Sequence, residues 1–180
     1  MTDLMIDLET LGTKPDAPII SLGAVFFDPF KGTVGPNFYM VLDVKEQIKY
    51  GRKPDGDTLK WWMGQSGAAK KVFSDSAKPV AEILQLFTKW IKANEQKKGR
   101  QGVYVWGNGS TFDISLMENI YIQYGLDAPW NYNSIMDLRT FKRFVGNGQQ
   151  IKKSGTNHNA VDDALSQAVY VIEQMKKGSK

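Results

Sequence analysis

The chain has 180 residues, 23 Lys plus Arg against 19 Asp plus Glu for a net charge of +4, and 42% hydrophobic residues. That length suits one domain, residues 1–180, able to bury roughly 70% of the surface its unfolded chain exposes. With no cysteine, thiolate zinc sites, cysteine nucleophiles and a disulfide framework are excluded, and the mild basic excess suits a polyanionic partner without requiring one.

The first predicted element is an apolar run from Leu4 to Leu11 that reads as a buried β-strand. It carries two acids, Asp7 and Glu9. Strand side chains alternate, so both point to one face with Cα atoms roughly 6–7 Å apart, close enough to share a cation. Acids at a strand end also cap turns, and these residues alone fit that reading equally well. Turn residues Gly12, Pro15, Asp16 and Pro18 lead to a second strand, Ile19 to Phe27. Gly32, Gly35 and Pro36 then break the chain before a third, Phe38 to Leu42. These three strands form an antiparallel meander. Lys45 to Asp57 is polar and aperiodic and reads as a loop, with Asp57 as N-cap of a short helix carrying Leu59, Trp61 and Trp62.

Helical periodicity begins at Val80, with Ile83, Leu84, Phe87, Trp90 and Ile91 on one face, and frays into Lys97-Lys98-Gly99-Arg100. Val103 to Trp106 is a short buried strand, and Asp113 to Tyr124 is a helix stopped by Gly125. A strand near Ser134 to Met136 precedes a helix from Asp137 to Phe144 that Asp137 itself caps. After a polar loop, Gly146 to Gly155, the last helix carries an apolar stripe from Val161 to Met175. A meander followed by strand-helix units predicts an α/β fold, a central mixed sheet flanked by helices.

Ligand sites in such folds favour the carboxyl ends of strands. Asp7 and Glu9 lie at one such end, and Asn108 to Asp113 follow another, so the two acidic segments are expected to converge. Asp113 alone suits the helix dipole in a first turn just as well. His158 and Asp163 are about 140° apart on an ideal helix and share a site only if His158 precedes the helix. The turn residues Gly155-Thr156-Asn157 favour that placement. Asp163 adjoins the apolar stripe, where an acid is costly unless neutralised, whereas Asp162 is the solvent-facing alternative. His158 is the chain's single histidine, which suits a general base but also a helix cap.

Taken together, Asp7-Leu8-Glu9-Thr10, then Asn108 with Phe112-Asp113, then His158-x-Ala160-x-x-Asp163-Ala164, resemble the three motifs of the DEDDh 3′-5′ exonucleases. Asn159 stands four residues before Asp163, where the related tyrosine-bearing branch has its tyrosine. Trp106-Gly107-Asn108-Gly109 and the tandem Trp61-Trp62 look most like exoribonuclease AS and related phage exonucleases. The resemblance implies a ribonuclease H-like fold with a five-stranded sheet. It also implies two-metal phosphodiester hydrolysis, with Asp7, Glu9, Asp113 and Asp163 as ligands of two Mg2+ or Mn2+ ions and His158 as base. Thr10, Leu11, Asn108, Phe112, Trp61 and Trp62 would contact the substrate. Four facing carboxylates do need about two divalent cations to stay ionised together.

The expected partners are 3′ ends of single-stranded DNA or RNA, with DNA favoured and the 2′-hydroxyl question left to pocket geometry. Small exonucleases of this superfamily are often dimers, so a homodimer is a further expectation. No apolar run approaches about 18 residues and no cationic-then-apolar leader is present, so a cytoplasmic protein with no membrane contact is expected. The basic groups Lys45, Lys49, Arg52, Lys53 and Lys142, Arg143, Lys152, Lys153 could track phosphates or simply be solvated surface. Two other readings stay open: a non-catalytic nucleic-acid binding module, and an oligoribonuclease-like enzyme acting on very short substrates.

Overall fold

A computed structural model describes residues 1–96, 102–145, 150–153, 155 and 158–178. Strands β1 (Asp3–Thr10), β2 (Ile19–Asp28) and β3 (Thr33–Val41) form the antiparallel meander, and β4 (Tyr104–Gly107) and β5 (Ile135–Asp137) add in parallel on the other side of β1. The order is β3-β2-β1-β4-β5. This is the expected mixed five-stranded sheet flanked by helices, with a ribonuclease H-like arrangement. No helix among the described residues is long and apolar enough to cross a membrane.

The period-2 alternation of β1 decides what each face meets. Leu4, Ile6 and Leu8 face the larger core with Leu22, Ala24 and Phe26. Against them pack Ile83, Leu84 and Phe87 of α4 (Val80–Asn94) and Ile114, Met117 and Ile120 of α5 (Ser110–Gln123). Met5 faces the other way, with Val25, Phe27 and Trp106, onto Ala164, Ala168 and Val171 of α7 (Ala160–Gly178). Asp7 and Glu9 share the Met5 parity, so they lie on the face that α7 covers.

The remaining elements depart from the sequence expectations in instructive ways. The segment expected as a loop from Lys45 to Asp57 contains α1 (Val44–Lys49), which Asp43 caps by accepting from the Glu46 N–H. Its inward residue is polar: Gln47 is fully buried and bonds both the N–H and the carbonyl of Ile19, so no apolar period betrays the helix. Next, α2 (Gly56–Met63) is capped by Asp55 and not by Asp57, the Asp55 carboxylate accepting from the Thr58 N–H. An unanticipated α3 (Gly67–Lys70) and 3₁₀ turn (Lys71–Phe73) follow. Strand β3 runs through Gly35 and Pro36 where a break was expected, which an edge strand permits because the missing proline N–H costs no ladder bond on its open side. Helix α5 starts three residues earlier than expected, at Ser110. Helix α6 (Leu138–Phe144) has the expected Asp137 cap, bonded to the Thr140 N–H. The charged run 97–100 and most of the polar stretch 146–157 lie outside the described residues.

Two close approaches fix the layers. Gly23 pairs with Asp7 across the sheet, and a Cβ there would collide with the backbone of Ala160 and Val161. The first turn of α7 therefore rests directly on β2. On the opposite flank Arg52, grouped above with solvated bases, is only 2% exposed. Its guanidinium donates to the Ala17 and Pro15 carbonyls and to the side chains of Asn119 and Gln123, tying the turn after β1 to α5. It is a structural arginine, unavailable to a phosphate.

Gly23→Ala should destabilise the fold by about 1–3 kcal/mol, because the added methyl meets backbone that cannot give way cheaply. Gly56→Ala, where nothing lies within 4 Å of the new Cβ, should shift stability by under about 0.5 kcal/mol. Urea melts of both variants check this, and equal melts would mean that α7 does not seat on Gly23.

Candidate active site

Parallel pairing aligns Ile6 with Gly107, so β4 ends level with Ile6 and leaves the edge of β1 beyond it open. The chain turns at Gly109, with φ of 103°, into α5, which swings Asp113 to that open edge. The Asp113 carboxylate accepts hydrogen bonds from the backbone N–H groups of Leu8 and Asn108 and is buried at 3% exposure. Gly107 leaves it room, since a Cβ there would stand a tight 3.1 Å from the Asp113 Cβ.

From the other side, α7 delivers Asp163. Asn159 caps this helix, its Oδ1 accepting from the N–H groups of Val161 and Asp162. His158 precedes the cap in a left-handed conformation, φ 61°, an unusual one for a residue with a side chain. Its own N–H donates to Asp163 Oδ2 at 3.2 Å, which holds that conformation. The imidazole sits edge-on to the Trp61 ring, centroids 4.9 Å apart. Histidine and aspartate thus reach the same space because His158 lies off the helix.

The result is a pocket of about 220 Å³ lined by Asp7, Glu9, Asn108, Lys153, His158, Asp163 and Gln167, among others. Glu9, His158 and Asp163 each offer a ligand atom within 4.8 Å of the others. The electrostatics are those of crowded, poorly hydrated carboxylates. Burial, then the neighbouring Asp113 and Glu9, push the Asp7 carboxyl well above the usual range, against the opposing hydrogen bond from Gln167. Glu9 is pushed up to about 8 by burial and by Asp163, with Lys153 opposing. Asp113 rises to about 7, mainly through burial, with its backbone hydrogen bonds and Arg139 opposing. Lys153 Nζ lies 3.0 Å from Asp163 Oδ1. One ammonium group among four carboxylates leaves most of their repulsion unrelieved.

Beyond Glu9 an open groove of about 650 Å³ continues, lined by Leu8, Thr10, Gly12, Asp55, Asp57, Thr58, Trp61 and Phe112. The aromatic residues anticipated for substrate divide here. Trp61 is 45% exposed, whereas Trp62 is 3% exposed and spends its Nε1–H on the Thr10 carbonyl. Trp62 therefore offers no stacking face, and Leu11 is likewise turned into the core. The Thr10 hydroxyl is spent on the Gly12 carbonyl, while Phe112 and Asn108 remain half-buried at the groove and the pocket. Sequence reasoning missed Gln167 and Arg139. Gln167 lies one helical turn after Asp163 on the same face, a spacing that could have found it. Arg139 lies against Gly109, where a Cβ would come within 3.0 Å of its guanidinium carbon, and no motif marks it.

The chain is similar to several known proteins. The T4 phage exodeoxyribonuclease is 30% identical over 130 residues, 67% of this chain, and the chain spans 56% of that relative's length. The nuclease domain of 3′hExo, a DEDDh family member solved with rAMP, superposes with a TM-score of 0.68 at 13% identity, covering 97% of this chain and 92% of that one. Exonuclease X in complex with 5′ overhanging duplex DNA gives 0.57 at 14% identity, covering 98% and 93%. Residues 2–175 match the family described as the 3′-5′ exoribonuclease Rv2179c-like domain, and the chain belongs to that family of 3′-5′ exonucleases.

Proposed function

We propose that residues 1–180 act as one catalytic domain, a metal-dependent 3′-5′ exonuclease that shortens single-stranded nucleic acid or 3′ overhangs one nucleotide at a time. The observation that carries this reading is the meeting of Asp7, Glu9, Asp163 and His158 around one small pocket, with Asp113 buried close enough to raise Asp7, and with Asp7, Glu9 and Asp113 all pushed up chiefly by burial. Oxygen donors in this number suit Mg2+ or Mn2+, whereas zinc would want more nitrogen or sulfur than one histidine provides. When bound, two such ions would stabilise the attacking and leaving oxygens of the displacement.

The chain's own groups supply the rest. Asp7, Glu9, Asp113 and Asp163 hold the ions. The His158 imidazole, edge-on to Trp61, takes the proton from the attacking water. The resulting hydroxide adds at phosphorus, the bond to the preceding 3′ oxygen breaks, that oxygen takes up a proton from solvent to become the new 3′-hydroxyl, and a nucleoside 5′-monophosphate leaves. Trp61 and Phe112 offer faces for the terminal base in the groove beyond Glu9, a contact worth ~1–3 kcal/mol per base in single-strand binders. A phosphate-and-stacking grip accepts either sugar. DNA is the first substrate to test, in keeping with the phage relative, and RNA is the second reading, favoured by the family's description.

The direct test uses 5′-labelled single-stranded DNA, single-stranded RNA, blunt duplex and 3′-phosphate-blocked oligomers with Mg2+ or Mn2+, with EDTA and Asp7→Ala as controls. A ladder shortening by single nucleotides is expected on the free single strands. Cleavage of a circular single strand, or release of 5′-terminal mononucleotides first, would overturn the reading, and an RNA-only ladder would select the second one.

Acid variants and pH test the metal centre. Asp7→Ala, Glu9→Ala, Asp113→Ala and Asp163→Ala should each abolish activity and blunt the metal-dependent rise in Tm. Glu9 and Asp113 have raised pKa values when folded, so their protonation stabilises the fold. That contribution is full below about pH 4, the ordinary carboxyl range, and is lost as pH rises through about 7 to 8. The metal-free Tm should therefore drop across that window, and saturating Mn2+ should remove or reverse the drop. A metal-dependent rise that persists in all four variants would place the ions elsewhere.

His158→Ala separates a base from a ligand. It should cost roughly 10²–10⁴-fold in rate yet keep the metal-dependent rise in Tm. Loss of that rise would reassign His158 as a ligand, a role its distance to Glu9 and Asp163 also permits.

A further inference from the structure

Gln167 is an amide in a place where the surrounding helix face is apolar. Ala164, Ala168 and Val171 of α7 pack against Met5 and Val25, and Gln167 at 5% exposure looks inward beside them. A leucine or methionine would fill the same space. What distinguishes the amide is its partner: Nε2 donates to Asp7 Oδ1 at 2.7 Å. Once an ion holds Asp7 ionised, its carboxylate can only accept hydrogen bonds, so Nε2 is the end of the amide that faces it. The other end, Oε1, is consequently buried, and it has no hydrogen-bond partner among the described residues. Buried acceptors are rarely left unmatched. This one belongs to a side chain that lines the carboxylate pocket.

We propose that Gln167 is a positioning residue of the metal centre: its Nε2–H ties one oxygen of Asp7, leaving the other for the ion, and its Oε1 receives a hydrogen bond from a water that enters with the ion. This rests on the reading of Asp7 as a metal ligand. The tie sets the rotation of the Asp7 carboxylate from a rigid helix, one turn after Asp163 on the same face, so the two acids are held at a fixed separation. Partners of this kind, behind the ligands themselves, commonly change metal affinity by 10–100-fold when removed. Gln167 lies outside the three motifs that mark the site in the sequence.

The test is a manganese titration followed by Tm shift and by calorimetry, on the wild type, Gln167→Met and Asp7→Ala. Gln167→Met keeps the volume and loses both polar ends. Its metal-free Tm should stay close to wild type, its Mn2+ midpoint should weaken by about 10–100-fold, and kcat at saturating Mn2+ should fall less than the midpoint rises. A wild-type midpoint in Gln167→Met overturns the inference. Should that variant fail to fold, Gln167→Asn, which withdraws the amide from Asp7 by one methylene, carries the same readout: a weakened midpoint supports the role and an unchanged one overturns it. If Asp7→Ala binds Mn2+ like the wild type, the ligand reading itself falls. If Asp7→Ala loses the ion and the Gln167 variants do not, only the role of Gln167 falls.

Discussion

Four carboxylates crowded at one poorly hydrated site, three lining a pocket and Asp113 buried beside Asp7, are the constraint that the rest of this structure answers to. Asp7 and Glu9 cannot leave it without a register slip, because period 2 ties them to the face of Met5, and a slip by one residue would send Leu4, Ile6 and Leu8 to the wrong core. Their repulsion is therefore built into the central strand of the sheet. The fold tolerates it through partial remedies: the Leu8 and Asn108 N–H groups on Asp113, the Gln167 amide on Asp7, and the Lys153 ammonium beside Asp163. Each satisfies one oxygen or one charge, and none neutralises the group.

Bringing the acids together takes two independent packing events. The early end of β4, level with Ile6, opens the edge that Asp113 occupies. The bare backbone at Gly23 lets α7 settle onto β2 until Asp163 faces Glu9. Both depend on an absent side chain, at Gly107 and at Gly23, and both glycines sit inside strands where glycine is otherwise a weak choice. The glycines are local costs in the sheet that bring the two helices to the site.

Much of this was legible in the residues. The residues named all five strands and the helices α2, α4, α5, α6 and α7, the longer ones mostly through apolar runs and the short ones largely through turn and cap residues. The three motif segments placed the site at the carboxyl ends of β1 and β4. What stayed hidden shares a physical cause: polar side chains doing interior work. Gln47 replaces an apolar residue in the buried position of α1 and satisfies a strand end with its amide. Arg52 reads as a surface base but is consumed by two carbonyls and two side chains. The tandem Trp61-Trp62 looks symmetrical, yet adjacent helical positions face different ways, so one ring lines the groove and its neighbour braces β1 through the Thr10 carbonyl. Composition and periodicity register where apolar surface goes and say little about where a buried amide or guanidinium finds its partners.

The same asymmetry bears on how the site can work. With Glu9 pushed up to about 8 and Asp113 to about 7, the cluster takes up protons when no ion is present, so in the proposed metal centre proton and metal compete for the same oxygens. Stability in such a pocket is conditional: it favours the protonated fold in acid and the metal-loaded fold near neutrality, and the metal-free ionised state is the least favoured of the three. The crowding that costs stability thereby couples the proposed metal loading to proton release, with β1 and the first turn of α7 holding the acids in place.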